Sequence, residues 1–175
     1  MTSFVSQPQI VSQQLLEPET EYTLVQFQNV VITGIPTQPT HEGDEAANWT
    51  VPTPALMFKD GRGREISIII RQEEARTFKE VLEGHPERAL LYDLLTALLG
   101  KLNIRIEGTF VHDLTDYRYL AKLRLKMQGD DQRMELACRP SDGLLLSILS
   151  NCPIYVKNEL MDEFSIDIAE ILGQR

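Results

Sequence analysis

Residues 134–156 read MELACRPSDGLLLSILSNCPIYV, and this stretch decides the fold. An alternating strand ends at Cys138, and residues 139–142 (Arg-Pro-Ser-Asp), which we call the polar corner, follow it. An apolar segment of helical length comes next, and a second strand begins at Pro153. Proline at the first helical position, followed by serine and aspartate, is typical of a helix N-terminus. We therefore expect a strand, a helix and a strand in this order, with the polar corner as the place for a function.

The same order of elements occurs twice in the chain. Three strands and a helix are predicted over residues 22–84, and three strands and a helix over residues 104–151. Both helices begin alike, because an arginine ends the strand and an acid follows three residues later. The predicted fold class is therefore α+β: two repeated β-β-β-α units form a mixed or antiparallel sheet packed against helices, with a C-terminal strand and helix added.

The chain divides into three expected parts. These are a disordered or loosely packed arm over residues 1–20, a domain over residues 21–160, and a C-terminal amphipathic helix over residues 161–175, the end of a helix predicted over 158–172. Residues 36–54 are a polar loop that contains His41 and Trp49, and we interpret it as a surface loop, with a lid as the alternative.

A leucine-rich segment predicts a further helix. Leu90, Leu91, Leu94, Leu95, Leu98 and Leu99 recur with helical spacing, and Gly100 ends the pattern. Because so many leucines share one face, we expect this to be the main core helix.

The net charge of −9 argues against a protein that holds nucleic acid through its backbone, since phosphate neutralisation dominates such binding. The charge is uneven, however, and residues 1–58 contain no Lys or Arg.

Four bases face outward on one predicted strand: Arg118, Lys122, Arg124 and Lys126. Successive outward residues of a strand are about 6.6 Å apart, which is similar to the spacing of phosphates on an extended single strand, so this row is either a nucleic-acid track or a solvated sheet face.

Common catalytic motifs are absent from the sequence: it has no Walker A loop, GxGxxG, CxxC, HExxH or GxSxG. Its two cysteines, Cys138 and Cys152, are too few for a disulfide framework and suit a reducing compartment. No apolar run approaches the roughly 20 residues that cross a bilayer. We expect a cytoplasmic protein without membrane contact.

The polar corner allows two interpretations. In the structural one, Ser141 or Asp142 accepts hydrogen bonds from free N–H groups of the first helical turn, and Arg139 pairs with Asp142 or with an acid of the other unit. In the functional one, the same hydroxyl, carboxylate and guanidinium hold a phosphate at the helix N-terminus. If Arg71 and Glu74 converge on this corner, it contains two arginines and two acids.

Three segments together resemble the bifunctional nuclease (BFN) domain family. They are PALMFKDGRGREISIIIRQEEARTFKEVLEG over residues 54–84, DLLTALL over 93–99, and CRPSDGLLLSILSNCPIYV over 138–156. The resemblance covers about residues 22–160. It implies an α+β domain that often self-associates and is credited with DNase and RNase activity.

The resemblance also carries over to single residues. The matching ones are Glu74, Ala75, Asp93, Leu94, Arg139, Pro140, Ser141 and Asp142. The chain departs from the family where Leu91 and Tyr92 replace its usual Thr and His, and where Arg71 replaces a Gly. Because tyrosine has a pKa near 10, it is a poor general base at neutral pH.

Phosphodiester hydrolysis on DNA or RNA is what the resemblance implies. The candidate catalytic residues are Asp142, Glu74, Asp93 and Ser141, and the candidate phosphate-binding residues are Arg139 and Arg71. Oxygen ligands of this kind favour Mg²⁺ or Mn²⁺ as a cofactor, although no spacing in the sequence identifies the metal. The alternative is a non-catalytic, self-associating interaction or regulatory domain, which the net charge and Tyr92 favour. A homo-oligomer is expected in either case.

Overall fold

The computed structural model describes residues 20–36, 50–84, 91–129 and 133–167. Within these ranges the chain forms one eight-stranded sheet and four helices. The elements are β1 (Tyr22–Pro36), β2 (Thr50–Asp60), β3 (Arg64–Ile69), α1 (Gln72–Leu82), α2 (Leu91–Lys101), β4 (Ile104–Thr115), β5 (Arg118–Met127), β6 (Arg133–Cys138), α3 (Pro140–Leu149), β7 (Ile154–Lys157), α4 (Asn158–Phe164) and β8 (Ile166–Asp167). None of the helices described is long and apolar enough to cross a bilayer.

The sheet has the strand order β6-β5-β4-β7-β1-β2-β3-β8. Each predicted unit contributes an antiparallel meander, β1-β2-β3 or β4-β5-β6. Strand β7 joins the two meanders, since it pairs antiparallel with β1 and parallel with β4. The predicted α+β fold of two repeated units is confirmed, with the two meanders extending outward from β7 in the same order.

Helix α3 lies at the centre of the core. Its leucines at residues 144–146 are buried, and burying one such side chain stabilises the fold by about 1.5–3 kcal/mol. Gly143 allows a close approach to the sheet, because a Cβ there would lie 2.9 Å from both Cys138 Sγ and Thr109 Cγ2. The Thr109 hydroxyl donates to the Gly143 carbonyl at 2.7 Å. These contacts fix the N-terminus of α3, and therefore the polar corner, on the sheet.

The leucine-rich helix α2 is not the main core helix, so that prediction is wrong. None of the described residues of α2 is buried. Tyr92 and Leu99 pack against the core, whereas Leu94 and Leu98 are 65% and 51% exposed. The leucine spacing predicts a helix correctly, but the side of the helix that faces the sheet is the one that carries Tyr92.

Strand β2 begins earlier than predicted. Thr50 pairs with Pro36, so residues 50–54 extend the hairpin with β1 and do not belong to the polar loop. His41, Trp49 and the arm over residues 1–19 lie outside the described residues.

The C-terminal helix is shorter than predicted. It was expected over residues 158–172, but α4 ends at Phe164 and Ser165 is extended. Ile166 and Asp167 then pair with β3. The edge of β3 offers unpaired backbone groups, and satisfying them competes with continuing the helix.

Strand β6 forms one edge of the sheet. Met134 and Leu136 were expected to face the interior, and they do lie opposite Leu125 and Leu123 on the face that carries the helices. They are nevertheless 39% and 53% exposed, because no described element covers this edge.

Candidate functional site

The N-termini of α1 and α3 lie side by side and bring the two units together. Arg71 precedes α1 and Arg139 precedes α3, both with extended backbone. The buried Ser141 hydroxyl donates to Glu74 Oε1 at 2.9 Å, and Arg139 Nη1 lies 3.3 Å from the same oxygen. The convergence expected from the matching sequence corners is therefore present in the structure.

Glu74 accepts donors from both helix starts. Its Oε2 accepts the backbone N–H of Arg71 at 2.8 Å, and its Oε1 accepts Arg71 Nη2 at 2.9 Å in addition to Ser141. Partial burial alone would raise the pKa of Glu74, but these hydrogen bonds outweigh burial and hold the pKa below its usual value. Glu74 is therefore ionised at neutral pH.

Asp142 is held by one arginine and one tyrosine. Arg139 binds it through two parallel hydrogen bonds, Nε to Oδ2 at 2.7 Å and Nη2 to Oδ1 at 2.9 Å. The Tyr92 hydroxyl donates to Oδ1 at 2.7 Å. Burial alone would raise the pKa of Asp142, but the hydrogen bonds from Arg139 and Tyr92 lower it further than burial raises it. Asp142 is the second ionised carboxylate of the site.

Tyr92 acts here as a neutral hydrogen-bond donor. Partial burial, together with the hydrogen bond to Asp142, raises the pKa of Tyr92 to about 12. A phenol with this pKa stays protonated at neutral pH, so it cannot act as the base that a histidine provides at physiological pH. Its role is to fix the orientation of Asp142.

The cluster opens into a small cavity of about 190 Å³. The cavity is lined by Arg71, Glu73, Glu74, Thr77, Phe78, Tyr92, Arg139, Ser141 and Leu145. This is below the roughly 300–1,000 Å³ of drug-sized ligand pockets, so a single phosphate group fits it better than a whole nucleotide does. The Arg71 and Arg139 side chains are 65% and 57% exposed, and they present guanidinium groups at its mouth.

The site does not fit the divalent cation expected from its acids. Asp93 lies on an exposed part of α2 and does not line the cavity. Within the described ranges, no three His, Cys, Asp or Glu side chains gather as a metal centre requires. Glu74 and Asp142 already have guanidinium groups within 3.3 Å, and a cation at the same oxygens would be repelled by them.

The predicted basic row is largely neutralised. Lys122 and Arg124 both donate to Glu135, at 2.7 Å and 2.9 Å. Arg124 is also buried, with its guanidinium 3.9 Å from the Phe110 ring centroid. Arg118 is exposed at the start of β5, and Lys126 is half-buried near its end. The structure therefore does not present the four bases as one free stripe.

Tyr92 is the site residue that the sequence did not place among the candidates. The sequence identifies Tyr92 only as the residue that replaces the family's usual His, off the leucine row. A signal was present, since Tyr92, Thr96 and Leu99 follow one another at spacings of four and three residues along a second helix face. That face packs inward and brings the phenol to Asp142.

The family model described as the bifunctional nuclease domain matches residues 56–169. Among curated proteins, no sequence matches this chain significantly. The matched segment begins later and ends later than the resemblance noted above, and it contains both helix starts and Tyr92. Because the match covers more than half of the chain, this protein belongs to the bifunctional nuclease domain family.

Proposed function

We propose that this protein hydrolyses phosphodiesters of DNA or RNA at the cluster formed by the two helix N-termini. The observation that supports this is the pair of exposed guanidinium groups, Arg71 and Arg139, beside the N-terminus of α3 in a family described by nuclease activity. Arginine forks and helix N-termini both favour phosphate.

Substrate binding would exchange the partners of the arginines. A phosphate at the mouth of the cavity takes over the Arg139 guanidinium, which now binds Asp142 in a bidentate pair. Asp142 then keeps the Tyr92 donor but loses a cation, so its pKa rises on binding. Glu74 keeps its backbone and Ser141 donors and remains ionised, which holds Arg71 in place.

Asp142 is the base in this mechanism. It accepts a proton from the water that attacks phosphorus, while the P–O bond to the leaving sugar oxygen breaks and that oxygen is protonated by solvent. Tyr92 orients the carboxylate, and Ser141 steadies Glu74. Asp142 is bound by two residues that line the cavity, Tyr92 and Arg139, whereas Asp93 is exposed on α2 and has no part in the mechanism.

Cleavage assays with purified variants test this proposal. We expect the wild type to cleave labelled DNA or RNA oligonucleotides with EDTA as well as with Mg²⁺, because the acids do not fit a cation. Asp142→Asn should lower kcat/KM by roughly 10²–10⁴-fold, the usual contribution of a general base. Arg139→Ala should raise KM, since it removes a phosphate ligand.

Arg118→Ala is the matched control, because it removes an exposed arginine of the basic row but leaves the cluster intact. Cleavage that persists unchanged in Asp142→Asn would remove the cluster from the mechanism. A loss in Arg118→Ala with no loss in Arg139→Ala would instead assign nucleic-acid binding to the basic row.

A non-catalytic interaction or regulatory domain is the second candidate function. The observation that favours it is Tyr92, a neutral donor in place of the family's histidine, beside carboxylates whose oxygens are already hydrogen-bonded. Binding at low salt separates the two functions. The nuclease predicts oligonucleotide binding that weakens as salt rises, and absence of binding would favour the second candidate.

Two further expectations are also proposals. We propose a cytoplasmic location, supported by the two unpaired cysteines, because free thiols are usual in a reducing compartment. We also propose that the protein is a homo-oligomer, which the exposed leucines of α2 support because they offer apolar surface to a second copy.

A further inference from the structure

Three bases stand side by side across the strands of the second unit, and we call them the basic triplet. Arg105 of β4 is the register partner of Lys126 of β5, and Lys126 is the register partner of Arg133 of β6. Directly opposite residues of an antiparallel pair have Cβ atoms about 4.5–5.5 Å apart, and like charges at these positions destabilise the pairing. An anion bound beside the triplet would relieve this repulsion.

The carboxylate of Glu107 contacts both arginines of the triplet but balances them only in part. Glu107 Oε2 lies 3.0 Å from Arg133 Nε, and Oε1 lies 3.8 Å from Arg105 Nη2. The Glu107 side chain is buried, yet no donor among the described residues directs a hydrogen bond at its Oε2. Because one carboxylate offsets one charge, the two half-exposed guanidinium groups keep positive charge for a ligand.

A cavity of about 600 Å³ opens at the end of the triplet formed by Arg105 and Lys126. Both bases line it, together with Asn103 and Gln128, and none of its described lining residues is an acid. The Gln128 N–H donates to the Asn103 carbonyl at 2.8 Å, which ties the turn after α2 to the end of β5. The fold therefore holds a guanidinium, an ammonium and two side-chain amides around one cavity.

The volume and the lining of the cavity indicate the class of ligand. About 600 Å³ lies within the roughly 300–1,000 Å³ of small-molecule sites, whereas the cluster at the helix starts offers about 190 Å³. A phosphate monoester carries a charge of about −1.5 to −2 at neutral pH, so it offsets two cations where a carboxylate offsets one. Ile104 and Met127, which are register partners, add apolar lining for an organic group.

We propose that this cavity binds an organic phosphate of nucleotide size, at a site separate from the cluster. The phosphate lies between Arg105 and Lys126, and the organic group lies along Ile104 and Met127. The site is independent of the proposed hydrolysis, because the described lining residues of the two cavities have no member in common.

Isothermal titration calorimetry of the full chain with adenosine 5′-monophosphate (AMP) tests the site. The titration is made in wild type and in Arg139→Ala, which removes a guanidinium of the cluster. We expect one AMP per chain in Arg139→Ala, with a dissociation constant of roughly 10 µM to 1 mM. Adenosine and inorganic phosphate should each bind at least about 10-fold more weakly, because each lacks one half of the ligand.

Substitutions in the Arg139→Ala background locate the binding. Arg105→Gln and Lys126→Gln should each weaken AMP binding by about 10-fold or more, since each removes a charge-assisted contact. Lys101→Gln is the matched control, because Lys101 is a base in the last turn of α2 that does not line the cavity. Circular dichroism checks folding, and either of the two cavity variants suffices if the other does not fold.

Three results would overturn the proposal. The first is the absence of AMP binding to Arg139→Ala at about 5 mM, which would leave the cluster as the site of any binding to wild type. The second is binding of adenosine or of inorganic phosphate as tight as that of AMP. The third is an affinity for AMP that is the same in the cavity variants as in Lys101→Gln.

Discussion

At the scale of residues, the cluster depends on donors that reach across the two units. The sequence predicted Arg71, Glu74, Arg139 and Asp142, because an arginine and an acid three residues later occur at both helix starts, and it also predicted Ser141. A capping role was considered for Ser141 and Asp142, but their side chains have other partners in the structure. The Ser141 hydroxyl instead bonds to Glu74 of the other unit, and Asp142 receives Arg139 and Tyr92. The Arg139–Asp142 pair was one of the expected pairings, whereas the Ser141–Glu74 and Tyr92–Asp142 bonds depend on tertiary distance, which local sequence does not encode.

Tyr92→Phe tests the hydrogen bond to Asp142. The variant keeps the ring that packs on the core and removes only the hydroxyl. We expect the free energy of unfolding to fall by about 0.5–1.5 kcal/mol, as for a typical hydrogen bond, in urea titrations. Tyr117→Phe is the control, because Tyr117 is 100% exposed and should tolerate the change. Equal stability of wild type and Tyr92→Phe would contradict the role assigned to the hydroxyl.

Acid should weaken the fold through Glu74 and Asp142. Their pKa values are lowered in the folded protein, so the unfolded chain binds more protons in acid. The stability that they contribute is complete above their unfolded pKa values, about 4.3 and 3.9, and is lost as pH falls through the lowered folded values. Urea midpoints measured from neutral pH down to about pH 3 should therefore fall less in Glu74→Gln and Asp142→Asn than in wild type. Glu163→Gln is the control, because Glu163 is exposed on α4 and lies outside the cluster.

At the scale of elements, α2 and α3 show what helical periodicity can and cannot predict. Both were identified as helices from apolar spacing, and α3 buries its apolar face as expected. In α2 the leucines are the larger set, yet Tyr92 and Leu99 face the core. Hydrophobic patterning predicts that a helix forms, but where most of its positions are apolar it does not tell which face packs on the sheet.

A pair of glycine substitutions tests how closely the helices approach their neighbours. Gly143→Ala in α3 should destabilise the protein by about 1–3 kcal/mol, because the new Cβ would lie 2.9 Å from Thr109 Cγ2 and Cys138 Sγ. Gly100→Ala in α2 meets no atom within 4 Å and should stabilise the helix by up to about 1 kcal/mol. Urea unfolding of both variants measures the contrast. A tolerated Gly143→Ala would mean that α3 can move away from β4.

At the scale of the whole molecule, the two units explain both the fold and the position of the cluster. The repeat was predictable, because two meanders and two similar helix starts are visible in the sequence. The role of β7 as the strand between the units was not, since a four-residue strand gives no sign of which edges it will join. The neutralisation of the basic row was equally hidden, because Glu135 meets Lys122 and Arg124 only through strand pairing.

The hydrogen bond from the Tyr92 hydroxyl to Asp142 connects helix α2 to the N-terminus of α3. Tyr92 belongs to the same helix as the exposed Leu94 and Leu98, so one element carries both the phenol of the cluster and a row of exposed leucines. If a ligand at the cluster and a partner at the exposed leucines each favour one position of α2, linkage requires each to change the affinity for the other by the same factor. The two changes in affinity would then be two measurements of one coupling free energy.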